Sequence, residues 1–191
     1  MNVLVVYAHP DPSSFSSGIN QLVCSELAKG GHRIQNLDLY HEHFEACMSI
    51  QERKAYMTSE NIRGIEHYVE QLKWAEALVL VYPTWWMGPP AILKGWFDRI
   101  WLPGVVAEFG PEGVKPGLTN IRKIMVITTQ GSSWVRMFLI GNPPKRMLKL
   151  ALKACTKASD IQWLALYSMD KISPPKLTGF LEKIRKKMAA F

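Results

Sequence analysis

Three apolar runs constrain this chain more than any other feature: Val3–Val6, Ala77–Tyr82 and Lys123–Thr128, the last apolar between its opening lysine and closing threonine. A strand with one wet face alternates apolar and polar residues, whereas a strand covered on both faces does not. Runs of this kind belong inside a parallel sheet with helices on both sides. The segments between them fit. Ile19, Leu22, Val23, Glu26 and Leu27 follow helical spacing, and Gly30–Gly31 closes that helix. Arg33–Leu39 and Gln162–Tyr167 supply a second and a fifth strand.

The remaining segments fill in the pattern. Tyr40–Ile50 reads as a loop, and Ser49 with Glu52 has the spacing of a capping box that starts a helix. Tyr56–Ser59 interrupts, after which a longer helix is expected over Glu60–Trp74. Pro103–Thr119, rich in glycine and proline, is expected to be a long loop, functional or mobile. A last helix runs from Pro175 to Met188. Five strands separated by helices predict one α/β domain over residues 1–191. Its expected form is a three-layer α/β/α flavodoxin-like fold with a five-stranded parallel sheet in the order 2-1-3-4-5.

Composition narrows the class. Of 191 residues, 48% are apolar and 20% charged, as in ordinary globular chains. No apolar run approaches the roughly 20 residues of a membrane helix. MNVLVVYAHP lacks a basic region and a small-residue cleavage site, so it reads as a strand rather than a signal peptide. Cys24, Cys47 and Cys155 are odd in number and widely spaced, which suits a reducing compartment. A soluble cytoplasmic protein is expected. The net charge of +7 favours anionic partners, but much of it lies in Lys145–Lys157 and Lys183–Lys187, on the outer faces of expected helices. No aromatic and basic array typical of RNA-binding modules is present, so no nucleic-acid partner is expected.

In such a sheet the loops after strands one, three and four meet at one edge. After strand one comes AHPDPSSFSSG, with four serines between a strand and a helix N-terminus. Hydroxyls, free N–H groups and the helix dipole together can cradle a phosphate, although capping alone would use one serine. Neither a Walker motif nor G-x-G-x-x-G is present, which weakens triphosphate and dinucleotide readings. His9 suits either a phosphate contact or a role in holding the loop. After strand three comes PTWWMG, where Thr84, Trp85, Trp86 and Met87 offer a flat ring a surface. After strand four comes ITTQGSSW, whose glycine lets backbone donors approach a ligand. A phosphate cradle, an aromatic turn and a donor-rich glycine turn at one edge suit a ring joined to a phosphate, such as a flavin nucleotide. The helix from Pro89 to Trp101, with Ile92, Leu93, Trp96, Phe97, Ile100 and Trp101, reads instead as core or dimer surface.

Other groupings carry less. His41, His43 and Cys47 have no second cluster of matching spacing, so no metal site is expected. Lys94 and Asp98 are an ordinary i,i+4 pair. No G-x-S-x-G elbow or cysteine signature points to a protein nucleophile.

The segments YAHPDPSSF, HRIQNLDLY, VLVYPTWWMGPPAILKGWFDRIW and ITTQGS, spread over about the first 135 residues, resemble the flavodoxin-like NAD(P)H:quinone oxidoreductase family. Bacterial members of that family include short NAD(P)H oxidoreductases and ancillary subunits of potassium-efflux systems. The resemblance implies that His9 and Phe15, Ser16 and Ser17 hold the flavin phosphate region. It implies that Thr84 to Met87 pack against the isoalloxazine and bond its edge, and that Thr128, Thr129, Gln130 and Gly131 sit near its pyrimidine end. It also implies a homodimer with the site at the subunit interface. The larger quinone reductases carry a glycine pair where this chain has Gln130–Gly131, and a tyrosine and a histidine downstream where it has WVRMFLIGN. Arg136 is the candidate cationic substitute beside the flavin. The family's longer C-terminal extension is missing, which favours FMN, with FAD the alternative. The resulting expectation is a flavin-dependent oxidoreductase passing hydride from NAD(P)H to a quinone or similar small acceptor, with the flavin itself as the reactive group. Two readings compete. One is a flavin-binding regulatory subunit docked on a membrane transporter through the basic LEKIRKKMAAF helix. The other is a flavodoxin-type electron carrier, which a pI near 9.4 opposes.

Overall fold

The three apolar runs lie side by side at the centre of one parallel sheet. A computed structural model describes residues 1–191. Its strands are β1 (Asn2–Tyr7), β2 (Arg33–Asp38), β3 (Ala77–Pro83), β4 (Ala107–Gly110), β5 (Gly113–Pro116), β6 (Lys123–Thr129) and β7 (Asp160–Leu166). The main sheet has the order β2-β1-β3-β6-β7, which is the expected 2-1-3-4-5 once the separate β4–β5 hairpin is set aside. All of its pairings are parallel, with Val5 opposite both Asn36 and Val79, and Val79 opposite Met125.

Every residue of β3 is buried, because this strand is covered on both faces. Side chains alternate across a strand with period two. Leu4, Val6, Leu78, Leu80, Ile124 and Val126 therefore enter one core, while Val3, Val5, Val79, Val81, Met125 and Ile127 enter the other. Each fully buried aliphatic side chain stabilises by about 1.5–3 kcal/mol. The first core is covered by α3 (Glu66–Trp74), α4 (Ala91–Ile100) and α6 (Pro143–Cys155) through Leu72, Leu93, Trp96, Ile100, Leu148 and Leu152. The second is covered by α1 (Phe15–Lys29) and α7 (Pro174–Ala189) through Ile19, Val23, Leu27, Phe180, Ile184 and Met188. Two short helices complete the set, α2 (Ile50–Ala55) and α5 (Trp134–Leu139). The capping box that starts α2 is present in both directions, between Ser49 and Glu52.

The structure departs from the sequence reading in three places. The helix expected over Glu60–Trp74 is broken: a 3₁₀ turn covers Ser59–Ile62, Gly64 takes φ +83°, and α3 begins only at Glu66. The left-handed conformation at Gly64 ends one helix and redirects the chain into the next. Pro103–Thr119 is not a plain loop, because it carries the antiparallel β4–β5 hairpin. Each of those strands has four largely exposed residues, too few for a periodic signal. The fifth strand of the main sheet begins at Asp160, two residues before the expected Gln162. The aromatic stripe of α4 follows the core alternative of the sequence reading. Leu93, Trp96 and Ile100 are buried, and Ile92, Phe97 and Trp101 pack against the same core.

Gly95 on α4 explains how the loop after β2 is held. A Cβ there would come within 2.3 Å of the Ala46 carbonyl oxygen, so only glycine lets that backbone lie on the helix. Arg99 on α4 then reaches Glu52 at 2.5 Å and bonds the Glu45 carbonyl oxygen. No helix is long and apolar enough to cross a membrane. On the basic C-terminal helix, Arg185 pairs with Glu182 and with Glu26 of α1, so part of that charge is satisfied within the chain.

Candidate functional site

Parallel strands deliver their following loops to one edge, and a cavity of about 990 Å³ opens there. Its walls come from the loops after β1, β3, β6 and β7.

The loop after β1 is shaped by its own short-range hydrogen bonds. Asp11 Oδ1 accepts from the Ser13 N–H at 2.8 Å and from the Ser13 hydroxyl at 2.7 Å. Those two bonds hold the Asp11 carboxyl below its ordinary range. The Asp11 N–H lies 3.0 Å and the Asp11 carbonyl 3.2 Å from His9 Nδ1, so the Asp11 backbone ties the imidazole to the loop through that nitrogen. Ser14 caps α1 by accepting from the Ser17 N–H at 3.2 Å. The N–H groups of Phe15 and Ser16 take no partner within the chain, and both residues line the cavity. Two free donors thus stand at the positive end of a 15-residue helix, a setting that favours negative charge.

The aromatic turn after β3 has an unusual backbone. Trp85 and Gly88 exchange hydrogen bonds of 2.9 Å in both directions, while Trp86 and Met87 take φ +48° and +59°. That is a type I′ turn, which normally carries Asn and Gly at these positions. Bulky residues in the left-handed region cost on the order of 1 kcal/mol each. The turn leaves the Trp86 and Met87 N–H groups without partners in the chain, and Trp86 stands fully exposed at the rim. Thr84 anchors the turn, its N–H donating to the Thr129 carbonyl at 2.8 Å.

The loop after β6 contributes a buried amide. Gln130 is 2% exposed; its N–H donates to the Leu166 carbonyl, and its own carbonyl accepts from the Met169 N–H. The side-chain Oε1 and Nε2 are both buried without a partner, and Gln130 lines the cavity. An unpaired buried amide costs about 1–3 kcal/mol unless something fills both roles. The N–H groups of Gly131 and Ser132 are also free. A Cβ on Gly131 would meet Asp170 Oδ2 at 2.9 Å, so glycine here admits the loop after β7. The Ser168 N–H locks that loop by donating to the Ser132 carbonyl at 3.0 Å.

Of the residues singled out in the sequence, His9, Phe15, Ser16, Thr84, Trp85, Trp86, Met87, Thr129, Gln130 and Gly131 line this one cavity. Ser17 and Thr128 do not. Ser17 is buried in the first turn of α1, and Thr128 lies beneath the wall, 1% exposed. Arg136 is exposed on α5 and does not line the cavity, so the structure does not place it as a cation beside a bound ring. Its neighbour Met137 lines the wall instead. Asp11, Ser14, Pro83, Ser132, Met137, Met169 and Asp170 complete the lining. Asp11 and Ser14 were within the serine loop already noted. Met169 and Asp170 follow from the same edge rule applied to one more strand. The lining holds two carboxylates and one imidazole but no lysine or arginine, in a chain of net charge +7. Neutral donors are what it offers an anion.

A ligand cavity at the carboxyl edge of a parallel sheet in this order defines an open doubly wound α/β binding protein. The chain belongs to the family described as having a flavodoxin-like fold, whose model matches residues 1–190. Among solved structures, Smu.1420 from Streptococcus mutans UA159 is 30% identical, with a TM-score of 0.87 over 100% of both chains. An NAD(P)H:quinone oxidoreductase from Methanothermobacter marburgensis is 26% identical, with a TM-score of 0.81 over 99% of this chain and 94% of that one. An uncharacterized NAD(P)H oxidoreductase of Haemophilus influenzae is 31% identical over 137 residues, covering 70% of this chain and 66% of that protein. The chain spans 50% to 58% of the length of the first curated relatives it matches.

Proposed function

We propose that the chain is a flavin-dependent oxidoreductase that passes hydride from NAD(P)H to a quinone or similar small acceptor, with FMN as the bound flavin. The observation that carries this reading is the set of free N–H donors on residues around one cavity: Phe15 and Ser16 at the α1 N-terminus, Trp86 and Met87 in the aromatic turn, and Gly131 and Ser132 after β6. The edge of an isoalloxazine pyrimidine carries acceptors that such donors would answer, and a helix N-terminus would answer its phosphate.

The residues fit such a group. Phe15 and Ser16 N–H, with the Ser14 and Ser16 hydroxyls and His9 Nε2, would hold the phosphate. Trp86, Met87, Gly131 and Ser132 N–H would bond ring heteroatoms. Trp85 and Met87 would cover ring surface and exclude water. Flavin supplies a two-electron hydride centre when bound, so no protein acid or base has to initiate the reaction. What the chain does is orient the ring, limit access to it and set the charge around it. Asp11 and Asp170 make that surrounding charge negative rather than positive.

The acceptor class follows the named relatives, which include a rat ribosyldihydronicotinamide dehydrogenase [quinone]. A homodimer belongs to the same proposal. Val135, Leu139 and Ile140 project from α5 at 57%, 77% and 47% exposure, an apolar strip that a second copy would cover. A reducing cytoplasm suits the three free cysteines.

Flavin released from purified protein, identified by mass spectrometry, tests the central claim. FMN at about one per chain is expected. A protein that carries no flavin and takes up neither FMN nor FAD would overturn it.

A further inference from the structure

A second cavity borders the α5 helix. Met137 and the preceding Ser132 line the cavity described above, whereas Trp134 and Phe138 line another of about 550 Å³, floored by the start of α6. Trp134 and Phe138, one helical turn apart, stack with centroids 5.5 Å apart and planes 19° apart. Both rings stay exposed, at 59% and 67%, so the stack presents an open face. Lys145, Arg146 and Lys149 line the same cavity. None of the three forms an ion pair, and no carboxylate lines the wall. Asn142 gives its Nδ2 to the Tyr167 hydroxyl at 3.3 Å and keeps Oδ1 without a partner.

This is the opposite of the first cavity, which has carboxylates and no cation. A stacking shelf calls for a flat ring, and three unpaired cations together call for a group with more than one negative charge. A phosphate monoester carries about −1.5 to −2 at neutral pH, whereas a diester carries one.

We propose that this cavity binds an adenine ring bearing a phosphate monoester. The purine would continue the Trp134–Phe138 stack, and the phosphate would sit among Lys145, Arg146 and Lys149. Because α5 is the wall shared with the first cavity, the source we assign is the adenosine 2′-phosphate end of the hydride donor, which gives preference to NADPH over NADH. That assignment rests on the proposed NAD(P)H activity, whereas the adenosine-phosphate site itself does not.

The test begins with calorimetry on the purified full chain, with adenosine 2′-phosphate, adenosine 5′-phosphate, adenosine and inorganic phosphate as separate titrants. Adenosine 2′-phosphate is expected to bind one site, with adenosine and phosphate each at least about tenfold weaker. R146A, K149A and W134A should each weaken it by about tenfold, the size of one charge-assisted contact or one stacked ring, while thermal midpoints stay put. In turnover, R146A should raise KM for NADPH by about tenfold and leave kcat and the KM for NADH alone. Absence of binding, or binding that these variants do not alter, would overturn the site. Equal affinity for the 2′- and 5′-phosphates, together with equal kcat/KM for NADPH and NADH, would overturn the assignment to the hydride donor and identify a free nucleotide as the occupant. Failure of the flavin reading is seen separately, as absent flavin uptake, because the calorimetry needs neither flavin nor turnover.

Discussion

Thr84 Oγ1 and Thr128 Oγ1 stand 2.8 Å apart, so one hydrogen bond fastens the aromatic turn after β3 to the buried end of β6. Thr128 touches no ligand space, yet it sets where Trp85 to Met87 lie. T128V keeps the shape and removes the bond, a loss of about 1 kcal/mol. The thermal midpoint should fall by about 2–4 °C in a chain of this size. FMN affinity, followed by flavin fluorescence, should fall by up to about tenfold; unchanged affinity would show that the turn is held by other contacts.

Met87 occupies a left-handed position that glycine takes without strain. M87G should therefore raise the thermal midpoint, by about 0.5–1 kcal/mol in stability, while weakening FMN binding through loss of the side chain at the cavity wall. Stability and affinity moving in opposite directions is the signature to look for. A fall in both would mean that the turn carries no strain at this residue.

Gly95 admits the Ala46 backbone, and backbone cannot step aside as a side chain can. G95A should cost about 1–3 kcal/mol by overpacking, read from a urea melt. The same change at Gly18, where a Cβ meets nothing within 4 Å, is the control and should be neutral or stabilising.

Burial alone would raise the Glu52 carboxyl, but bonds from Ser49 and the Arg99 guanidinium hold it below its ordinary 4.5. A carboxylate lowered in this way contributes stability that is complete above the unfolded value and drains away as pH falls through the folded one. The wild-type midpoint should therefore decline below about pH 4.5. E52Q should be less stable at neutral pH and show a shallower acid decline. Parallel curves for the two proteins would exclude the Glu52–Arg99 pair as a source of acid sensitivity.

The sheet was legible because burial on both faces leaves a local trace: β3 is apolar along its length, and nothing outside the strand is needed to see it. The loops were legible for a related reason, since parallel strands send PTWWMG and TTQG to the same edge whatever the side chains do. Other features depend on residues far apart in the chain. Gly131 makes room for Asp170, and neither residue announces the other. The β4–β5 hairpin is too short for alternation to show, and Arg136 lies one position from the wall of the cavity, a difference decided by the angle at which α5 sits. His9 was ambiguous as a residue type; the Asp11 backbone at Nδ1 is what leaves Nε2 as the ring nitrogen without a partner in the chain.

Met137 is the single buried residue of α5. A six-residue helix with one anchor belongs to the least stable part of a structure, where ordering has a measurable entropic cost. An occupant that steadies this helix from either side meets that cost on behalf of the other. The affinities on its two flanks are then obliged to rise or fall by one common factor, without any change of shape passing between them.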